Sequence, residues 1–341
     1  MRRSTFFAFI APSFVLMLLF IATPLVIVGW QSLHQERGLF HDVKVETCSP
    51  GFLRQTCTTE IRSQPVRGAD GKAITETRFV GLDNFAALLQ PDLLGRALSG
   101  SRAAFAELLE LDFYRALRFT LTFTFATLPL VLGLGLAIAL AVDATVRSLR
   151  GPAIFVSLLP YVITPVVGAL SIRWLFVGDG IGTAGLEGLT GQRILMLTSG
   201  WTMELLMLFY RVWHVAPFAF LVFYAGLQTV DQSTMEAAVV DGATRLQRLR
   251  TIVLPHLAPL VVFVALIHMM DSYRVFEEVV GFASQSYRIS LQWLTFHYLT
   301  ADNTGNRAVS RASASAILTM VGIVLLLIPL LMRTWREHRG K

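Results

Sequence analysis

The chain has 341 residues, of which 54% are hydrophobic and only 15% are charged, and its formal net charge is +6. A soluble domain carries roughly a quarter charged residues, so this composition excludes an ordinary water-facing surface and predicts a chain that largely faces lipid. The basic residues stand beside apolar runs and follow no single face, so membrane topology explains them better than nucleic-acid binding does. Two cysteines are too few for a disulfide scaffold or a four-ligand zinc site.

Six stretches are long and apolar enough to cross a membrane as helices, which needs about 20 mostly apolar residues. The first follows the basic start MRRST, and its apolar part is longer than the core of a signal peptide, so we predict a retained helix. The third, fourth and fifth stretches also carry polar side chains. The six predicted spans are Phe6–Trp30, Phe119–Val142, Ile154–Val177, Met203–Leu227, Leu257–Phe282 and Ala314–Met332.

The arginine clusters predict the orientation, because short arginine-rich segments stay on the cytoplasmic side of a membrane. In a six-span chain these clusters all fall on one side, so we expect both termini and residues 229–256 to be cytoplasmic. The chain then divides into an N-terminus with the first helix (1–30), an extracytoplasmic loop region (31–113), a transmembrane core of five helices (114–335) and a cytoplasmic tail (336–341). The basic residues concerned are Arg2, Arg3, Arg147, Arg150, Arg245, Arg248, Arg250, Arg333, Arg336, Arg339 and Lys341.

The predicted outer loop region is polar and rich in turn-forming residues, as in QPVRGADGKAIT. We expect a small extracytoplasmic elaboration there and not a full domain. Both cysteines, Cys48 and Cys57, fall within it. Because disulfides persist outside the cytoplasm, we predict a bridge between them, and two free neighbouring thiols remain the alternative.

Residues 229–256, which we call the elbow, contain signals for two helices outside the membrane. Ser233 and Glu236 have the spacing of a capping box, and Gly242 suits the left-handed turn that ends a helix. Thr244 is placed to cap a second helix. An ordinary amphipathic loop is the alternative. A face of small residues would allow another protein to approach closely: Ala237, Ala238 and Ala243.

The elbow also carries the pattern E-A-A, three residues, G, nine residues, I-x-L-P, which resembles the coupling-loop motif of ABC importer permeases. The segments APFAFLVFYAGLQTVDQSTMEAAVVDGA, DSYRVFEEV and FVGLDNFAALL resemble the binding-protein-dependent sugar permeases of that group. The residues assigned to ATPase coupling by this resemblance are Glu236, Ala237, Ala238, Asp241, Gly242, Ile252, Leu254 and Pro255.

The resemblance implies an all-α membrane protein with six transmembrane helices, the type I ABC importer permease fold, a cytoplasmic coupling helix and a periplasmic loop elaboration. It implies a subunit of the bacterial inner (plasma) membrane that passes a sugar, delivered by an extracytoplasmic solute-binding protein. Its expected partners are a second, related permease in a heterodimer, two ABC ATPase subunits and membrane lipid, with no nucleic acid. Glu236 would pair with a basic or polar ATPase residue, while Ala237, Ala238 and Gly242 would allow close packing.

No enzyme motif accompanies these signals. The stretch GADGK lacks the spacing of a phosphate-binding loop, so we expect no ATPase site and no cofactor in this chain, with ATP and magnesium bound by the partner subunits. H-E-x-x-H, C-x-x-C and G-x-S-x-G are also missing from the sequence, which excludes the corresponding hydrolases and metal sites. After the fifth span, GFASQSYRIS replaces the family's glycine–proline-rich segment, which leaves the transported solute open.

Polar side chains inside the spans are the candidates for a solute pathway, because intramembrane charge usually faces a cavity or a partner. Rings beside hydrogen-bonding groups suit a sugar. The alternative is that Arg274 pairs with Glu278 and with Asp271 along one helix. Other solutes (glycerol phosphate, a polyamine or an amino acid) and an autonomous secondary transporter or channel are the rival functions. The candidates are Arg173, Tyr210, Arg211, Trp213, His214, His268, Asp271, Ser272, Tyr273, Arg274 and Glu278.

Overall fold

The computed structural model describes residues 3–38, 40–49, 56–66, 75–301 and 307–339. They form an all-helical membrane protein with a small β elaboration near the N-terminus. The first eight helices are α1 (Arg3–Met17), α2 (Thr23–Ser32), α3 (Asp83–Leu89), α4 (Pro91–Leu98), α5 (Arg102–Glu110), α6 (Asp112–Ala144), α7 (Arg147–Val162) and α8 (Pro165–Leu175). The others are α9 (Ile181–Thr190), α10 (Gly200–Leu227), α11 (Gln232–Val240), α12 (Arg245–Arg248), α13 (Leu254–Tyr273), α14 (Glu277–Gly281), α15 (Leu291–Leu299) and α16 (Val309–Arg339).

Short turns of other helix types connect some of these helices. A π-helical turn at Leu18–Ala22 joins α1 to α2, and another at Leu249–Val253 joins α12 to α13. A 3₁₀ turn, Ser284–Ser286, follows α14. In the part of the chain that the structure describes, the strands are β1 (His34–Gly38), β2 (Phe40–Ser49), β3 (Thr56–Pro65) and β4 (Thr75–Phe79).

Among the described residues, five helical stretches are long and apolar enough to span a membrane, and a bent pair makes up to six. The upper number agrees with the six predicted spans. The helix predicted to end at Trp30 continues to Ser32. The five are Phe9–Ser32, Asp112–Ala144, Gly200–Leu227, Arg245–Tyr273 and Val309–Met332, and the bent pair is Arg147–Val162 with Pro165–Leu175.

The third predicted span, Ile154–Val177, is wrong as a single straight helix. It is divided between α7 and α8, which meet at an angle of 91°. Thr164 stands directly before Pro165 and has an extended backbone (φ −63°, ψ 137°). A residue before proline is driven out of the helical region by the proline ring, so the chain breaks at this point.

The fifth predicted span, Leu257–Phe282, is wrong at both ends. Its helix begins earlier, because the stretch from Arg245 runs without a break into the apolar part of α13. It ends earlier as well, at Tyr273, where Arg274 leaves the helical conformation (φ −96°, ψ 25°) and α14 starts as a separate helix.

The backbone divides into two compact units, Met1–Asp92 with Thr295–Leu318 and Leu93–Leu294 with Thr319–Lys341. In the first unit, β1 pairs with β4 and β2 with β3, both antiparallel. These strands were missed in the sequence, where turn residues hid the alternating β-branched positions of segments such as VKVETCS. Asn84 donates hydrogen bonds to the carbonyl oxygens of Ser32 (2.8 Å) and His34 (3.1 Å), which attaches α3 to the end of α2.

In the second unit, α6 packs along α10 and α13. Gly135 permits the closest approach, because a Cβ there would lie 2.5 Å from the Cβ of Ala219 on α10. Small residues at a helix contact let two backbones approach in this way within a membrane. The core beside this contact contains Val131, Phe220, Phe223 and Val264.

Candidate functional site

The first candidate site is the elbow, which begins with a capped helix. The carboxylate of Asp231 accepts hydrogen bonds from the backbone N–H and the hydroxyl of Ser233 (3.1 and 2.7 Å) and from the hydroxyl of Thr234 (2.8 Å). These bonds from Ser233 and then Thr234 lower the pKa of Asp231, because they stabilise its charged form. The predicted capping box of Ser233 and Glu236 is wrong, since Asp231 caps the helix two residues earlier.

The turn of the elbow follows the prediction for Gly242. This glycine has φ +79°, and the N–H groups of Gly242 and Ala243 donate to the carbonyl oxygens of Val239 (3.0 Å) and Ala238 (2.9 Å). This is the Schellman arrangement that ends a helix, and it favours glycine because other side chains strain at positive φ.

The prediction that Thr244 caps the second helix is also confirmed. The hydroxyl of Thr244 accepts from the N–H of Gln247 (3.3 Å), and the side-chain oxygen of Gln247 accepts from the N–H of Thr244 (2.7 Å). A capping box therefore exists in the elbow, at a different position from the one predicted.

Most residues of the elbow are exposed to solvent. The helix α11 has no buried residue; Glu236, Ala237, Asp241 and Gly242 are exposed, and Ala238 is half-buried. Further along, Ile252 and Leu254 are half-buried and Pro255 is exposed, where the helix enters the membrane-spanning stretch. Sequence reasoning missed the two exposed valines at the apolar tip of the elbow, although their position shortly before the glycine could have indicated them. The side chains of Val239, Val240 and Leu246 are 53%, 86% and 56% exposed.

The second candidate site is centred on Arg211, which lies on α10 and is 4% exposed. Its guanidinium donates to Glu278 Oε1 at 2.7 Å and forms a short ion pair with Asp271. Glu278 is fully buried, whereas the Asp271 side chain is 54% exposed. One cation thus joins the last turn of α13 to the separate helix α14.

The alternative prediction, in which Asp271, Arg274 and Glu278 pair along one helix, is wrong. Because α13 ends at Tyr273, the regular spacing that would align these side chains is lost. The break lets both carboxylates turn towards Arg211 on a neighbouring helix.

Hydrogen bonds connect this ion pair to a fourth element. His268 Nε2 lies 2.9 Å from Thr127 Oγ1 on α6 and 3.1 Å from Ser272 Oγ on its own helix. Ser272 Oγ is in turn 3.5 Å from the guanidinium of Arg211. Thr127 is a member of this network that sequence reasoning missed, since a lone threonine in an apolar span carries no signal of its partner.

The bend between α7 and α8 is held by α10. The hydroxyl of Tyr210 donates to the carbonyl oxygen of Pro165 (2.7 Å), and His214 Nε2 lies 2.8 Å from the carbonyl oxygen of Ile163. The rings of Tyr210 and His214 pack on each other, with centroids 5.5 Å apart. Backbone oxygens exposed by the break at Thr164 are satisfied in this way, as a membrane interior requires.

A cavity of about 530 Å³ lies beside these groups, which is within the range of small-molecule sites. Of the predicted residues, Arg211, His214, His268, Asp271 and Arg274 line it. The sequence did not indicate the apolar and backbone part of its wall. Those further lining residues are Tyr161, Val162, Ile163, Thr164, Pro165, Val215, Phe218, Ile267 and Met270, while Glu277, a polar residue inside the fifth predicted span, also lines the cavity.

The other predicted pathway residues lie outside this lining. Tyr210, Ser272 and Glu278 support it from buried positions. Tyr273 packs so closely on Gly322 of α16 that a Cβ there would overlap its hydroxyl. Arg173 and Trp213 are half-buried elsewhere on α8 and α10.

Comparison with known proteins identifies the family to which this architecture belongs. Residues 103–339 match the family described as binding-protein-dependent transport system inner membrane component. The chain is 34% identical over 113 residues to the trehalose/maltose transport system permease protein MalF of Thermococcus litoralis, covering 32% of this chain. It is 30% identical over 172 residues to the sn-glycerol-3-phosphate transport system permease protein UgpA of Escherichia coli, covering 49% of this chain. These matches span 37% and 57% of the two relatives.

A solved structure shares the fold over nearly all of the chain. It is a crystal structure of a bacterial ABC transporter involved in the import of the acidic polysaccharide alginate. Its matching chain has a TM-score of 0.67 at 18% identity, covering 98% of this chain and 96% of that one. The family match over residues 103–339 agrees with this fold and with the spans described above. The chain therefore belongs to the binding-protein-dependent transport system inner membrane components, as a multi-pass permease of an ABC importer and not its ATPase.

Proposed function

We propose that this permease passes a sugar or sugar derivative across the inner membrane, driven by ATP that partner subunits hydrolyse. The observation that carries the proposal is the exposed elbow, a capped helix and a glycine turn placed between two membrane-spanning helices. Such a rigid projection, with small residues and an apolar tip, fits a cleft on another protein. The proposed partners are two ABC ATPase subunits that bind ATP and magnesium, a second, related permease and an extracytoplasmic solute-binding protein.

The proposed orientation has both termini and the elbow in the cytoplasm, with residues 31–113 outside. It is supported by the arginine clusters, which retain short segments on the cytoplasmic side. In this orientation the solute arrives at the end where α6 and α10 begin, and Arg211 lies in the outer half of its helix.

Coupling follows from the connection between the elbow and the membrane. Arg245–Tyr273 forms one continuous helical stretch, so a movement of the elbow is carried along the helix to its last turn. That turn holds Asp271, which pairs with Arg211 beside the cavity. We propose that ATP-driven movement of the ATPases acts on Glu236, Ala237, Ala238, Asp241 and Gly242 and reaches the cavity by this route. Ile252, Leu254 and Pro255 would transmit it at the entry to the membrane.

Two observations support a sugar as the solute. One curated relative is a trehalose/maltose permease, whereas another is a permease for sn-glycerol-3-phosphate, an alternative cargo. The cavity combines rings, such as Tyr161 and Phe218, with hydrogen-bonding groups, and a sugar presents both apolar faces and hydroxyls. Glycerol phosphate, a polyamine or an amino acid would be the alternative cargo.

Uptake measurements test the function, and binding measurements on the cognate solute-binding protein test the cargo. We expect uptake of the ligand bound by that protein to stop when the partner ATPase is deleted and to return when it is restored. Uptake that survives the deletion would instead support an autonomous secondary transporter. A binding protein that prefers an amino acid or a polyamine would overturn the sugar assignment and leave the importer assignment standing.

A further inference from the structure

A second cavity, of about 400 Å³, lies where α6 and α10 begin and has a different lining from the Arg211 cavity. Its wall combines three arginines with two glutamates, a threonine and a few apolar or aromatic groups. The lining residues that matter here are Arg115, Arg118, Thr122, Glu204, Tyr287 and Arg288.

One side of this cavity is an ordered frame. Arg288 donates to Glu204 at 2.6 Å and to the carbonyl oxygen of Tyr287 at 3.2 Å. Thr122 donates to the other oxygen of Glu204 at 3.4 Å, which connects α6 to α10. The guanidinium also lies against the backbone of Gly200, where a Cβ would come within 3.0 Å of it. Arg288 is therefore held in one position without a bound ligand.

The opposite side carries positive charge that the frame does not neutralise. Arg115 contacts Asp112 at 3.3 Å, and that aspartate is 61% exposed, so water screens the pair. Arg118 is exposed and forms no ion pair with any residue in 75–301. The lining holds three arginines against two carboxylates, Glu110 and Glu204, and Glu204 is already paired with Arg288, so the cavity has one guanidinium more than it has carboxylates.

Such donors recognise oxyanions. A guanidinium presents a planar fork of N–H groups that matches the two oxygens of a carboxylate or phosphate, and these bonds are stronger than neutral ones. A cation would be repelled by Arg115 and Arg118. A neutral ligand would not compensate their positive charge.

We propose that this cavity binds an oxyanion, a carboxylate or phosphate group, which Arg115 and Arg118 contact while Arg288 completes the wall. Its place on the outer side rests on the orientation proposed above. The anion is carried either by an acidic sugar or sugar phosphate on its way into the importer or by the headgroup of an anionic lipid, since both offer the same chemistry. The Arg211 cavity differs, because the two arginines in its lining, Arg211 and Arg274, are matched by two lining carboxylates, Asp271 and Glu277.

The test compares glucuronate with glucose, which differ chiefly by the carboxylate. Binding is measured by calorimetry on the permease and ATPase complex in phosphatidylcholine nanodiscs, without the binding protein. We expect glucuronate to bind and glucose to bind far more weakly. The double variant Arg115→Gln/Arg118→Gln should bind glucuronate at least about tenfold more weakly, as expected for loss of charged hydrogen bonds. The matched control Arg102→Gln, an exposed arginine outside the cavity, should bind as the wild type does.

The variant Glu204→Gln should change the affinity for glucuronate in the opposite direction. Glutamine keeps an acceptor oxygen for Arg288 and removes a negative charge from the wall, so glucuronate should bind about threefold or more tightly. A folding defect would weaken binding, so tighter binding separates the proposal from damage to the structure. Glucuronate binding no tighter than glucose, or unchanged in both variants, would overturn the oxyanion site.

The lipid composition of the nanodisc identifies the source of the anion. If phosphatidylglycerol lowers the apparent glucuronate affinity, the lipid headgroup occupies the site, and if it does not, the site serves a soluble solute. None of these measurements depends on coupling, so an importer that couples normally and binds no glucuronate would refute this site alone. Loss of ATPase-dependent uptake would concern the proposed function instead.

Discussion

At the scale of single residues, Arg211 carries an unusual share of the structure's polar contacts. It is a buried cation that pairs with a fully buried glutamate and with a half-exposed aspartate from a different helical segment. Taking these charges out of water is costly, and their mutual attraction offsets that cost only while all partners are present. The arrangement therefore depends on the break after Tyr273, which brings the two carboxylates to one guanidinium.

Replacing Arg211 should destabilise the protein strongly. We expect Arg211→Gln to lower the free energy of unfolding by about 3–5 kcal/mol, because it leaves Glu278 buried and without its cation. The measurement is reversible unfolding of the purified protein in mixed micelles. Arg211→Gln/Glu278→Gln should recover much of the loss, and Arg193→Gln, which breaks an exposed pair with Asp179, should change stability by less than about 1 kcal/mol. Equal losses for Arg211→Gln and Arg193→Gln would contradict this account.

Substitutions of Gly242 test the backbone conformation of the turn without a steric effect, since no atom lies within 4 Å of the Cβ that a substitution would add. We expect Gly242→Val to abolish ATP-dependent uptake, because a β-branched residue strains at φ +79° and the turn would rearrange. Gly242→Asn should retain much of the uptake, because asparagine tolerates the left-handed conformation. The measurement is an uptake assay that compares the two variants at matched protein levels in the membrane. If the valine variant transports normally, the shape of this turn has no part in coupling.

At the scale of elements, the elbow is a structural unit that is stabilised locally. Asp231 caps one helix, Thr244 and Gln247 cap the next, and Gly242 joins them. Because these bonds lie close in sequence, motif spacing was sufficient to predict the turn and the second cap. The first cap was misassigned because aspartate and serine both suit this role and stand two residues apart.

Charge reversal on the elbow should uncouple the importer. We expect Glu236→Lys to leave the permease in the membrane and to reduce ATP-dependent uptake to background, because the proposed ATPase contact would become repulsive. Substrate-stimulated ATP hydrolysis by the reconstituted complex should fall with it. Glu187→Lys, the same reversal at an exposed position of α9, serves as the matched control and should transport normally. Normal coupling in the Glu236→Lys variant would remove Glu236 from the proposed contact.

The paired strands β2 and β3 bear on the proposed disulfide. Cys48 and Cys57 are directly opposite each other in the antiparallel register, while their side chains lie outside the described part of the chain. Opposed residues in such a pair have Cα atoms about 4.5–5.5 Å apart, which is within the range that a disulfide spans. We expect a proteolytic fragment containing both residues to change mobility on reduction. Full alkylation of both thiols without a reductant would instead show that they are free.

At the scale of the whole molecule, the proposed orientation can be tested by labelling from outside the cell. In a background with both native cysteines replaced by serine, Thr190→Cys in α9 should react with a membrane-impermeant maleimide in intact cells. Thr234→Cys in the elbow should react only after the membrane is opened. Both positions are exposed, so access to each depends on the side of the membrane. Labelling of Thr234→Cys in intact cells would reverse the orientation.

The membrane class, the approximate spans and the turn of the elbow could be predicted from the sequence, because apolar length and capping signals act over a few neighbouring residues. The sequence also indicated most of the polar residues around the Arg211 cavity. How these residues pair depends on the tertiary structure: Asp271 and Glu278, on either side of the break at Arg274, both reach Arg211, and the packing of α6 on α13 places Thr127 beside His268. Those contacts join residues 60 or more positions apart, so their geometry depends on how α6, α10 and α13 pack against one another.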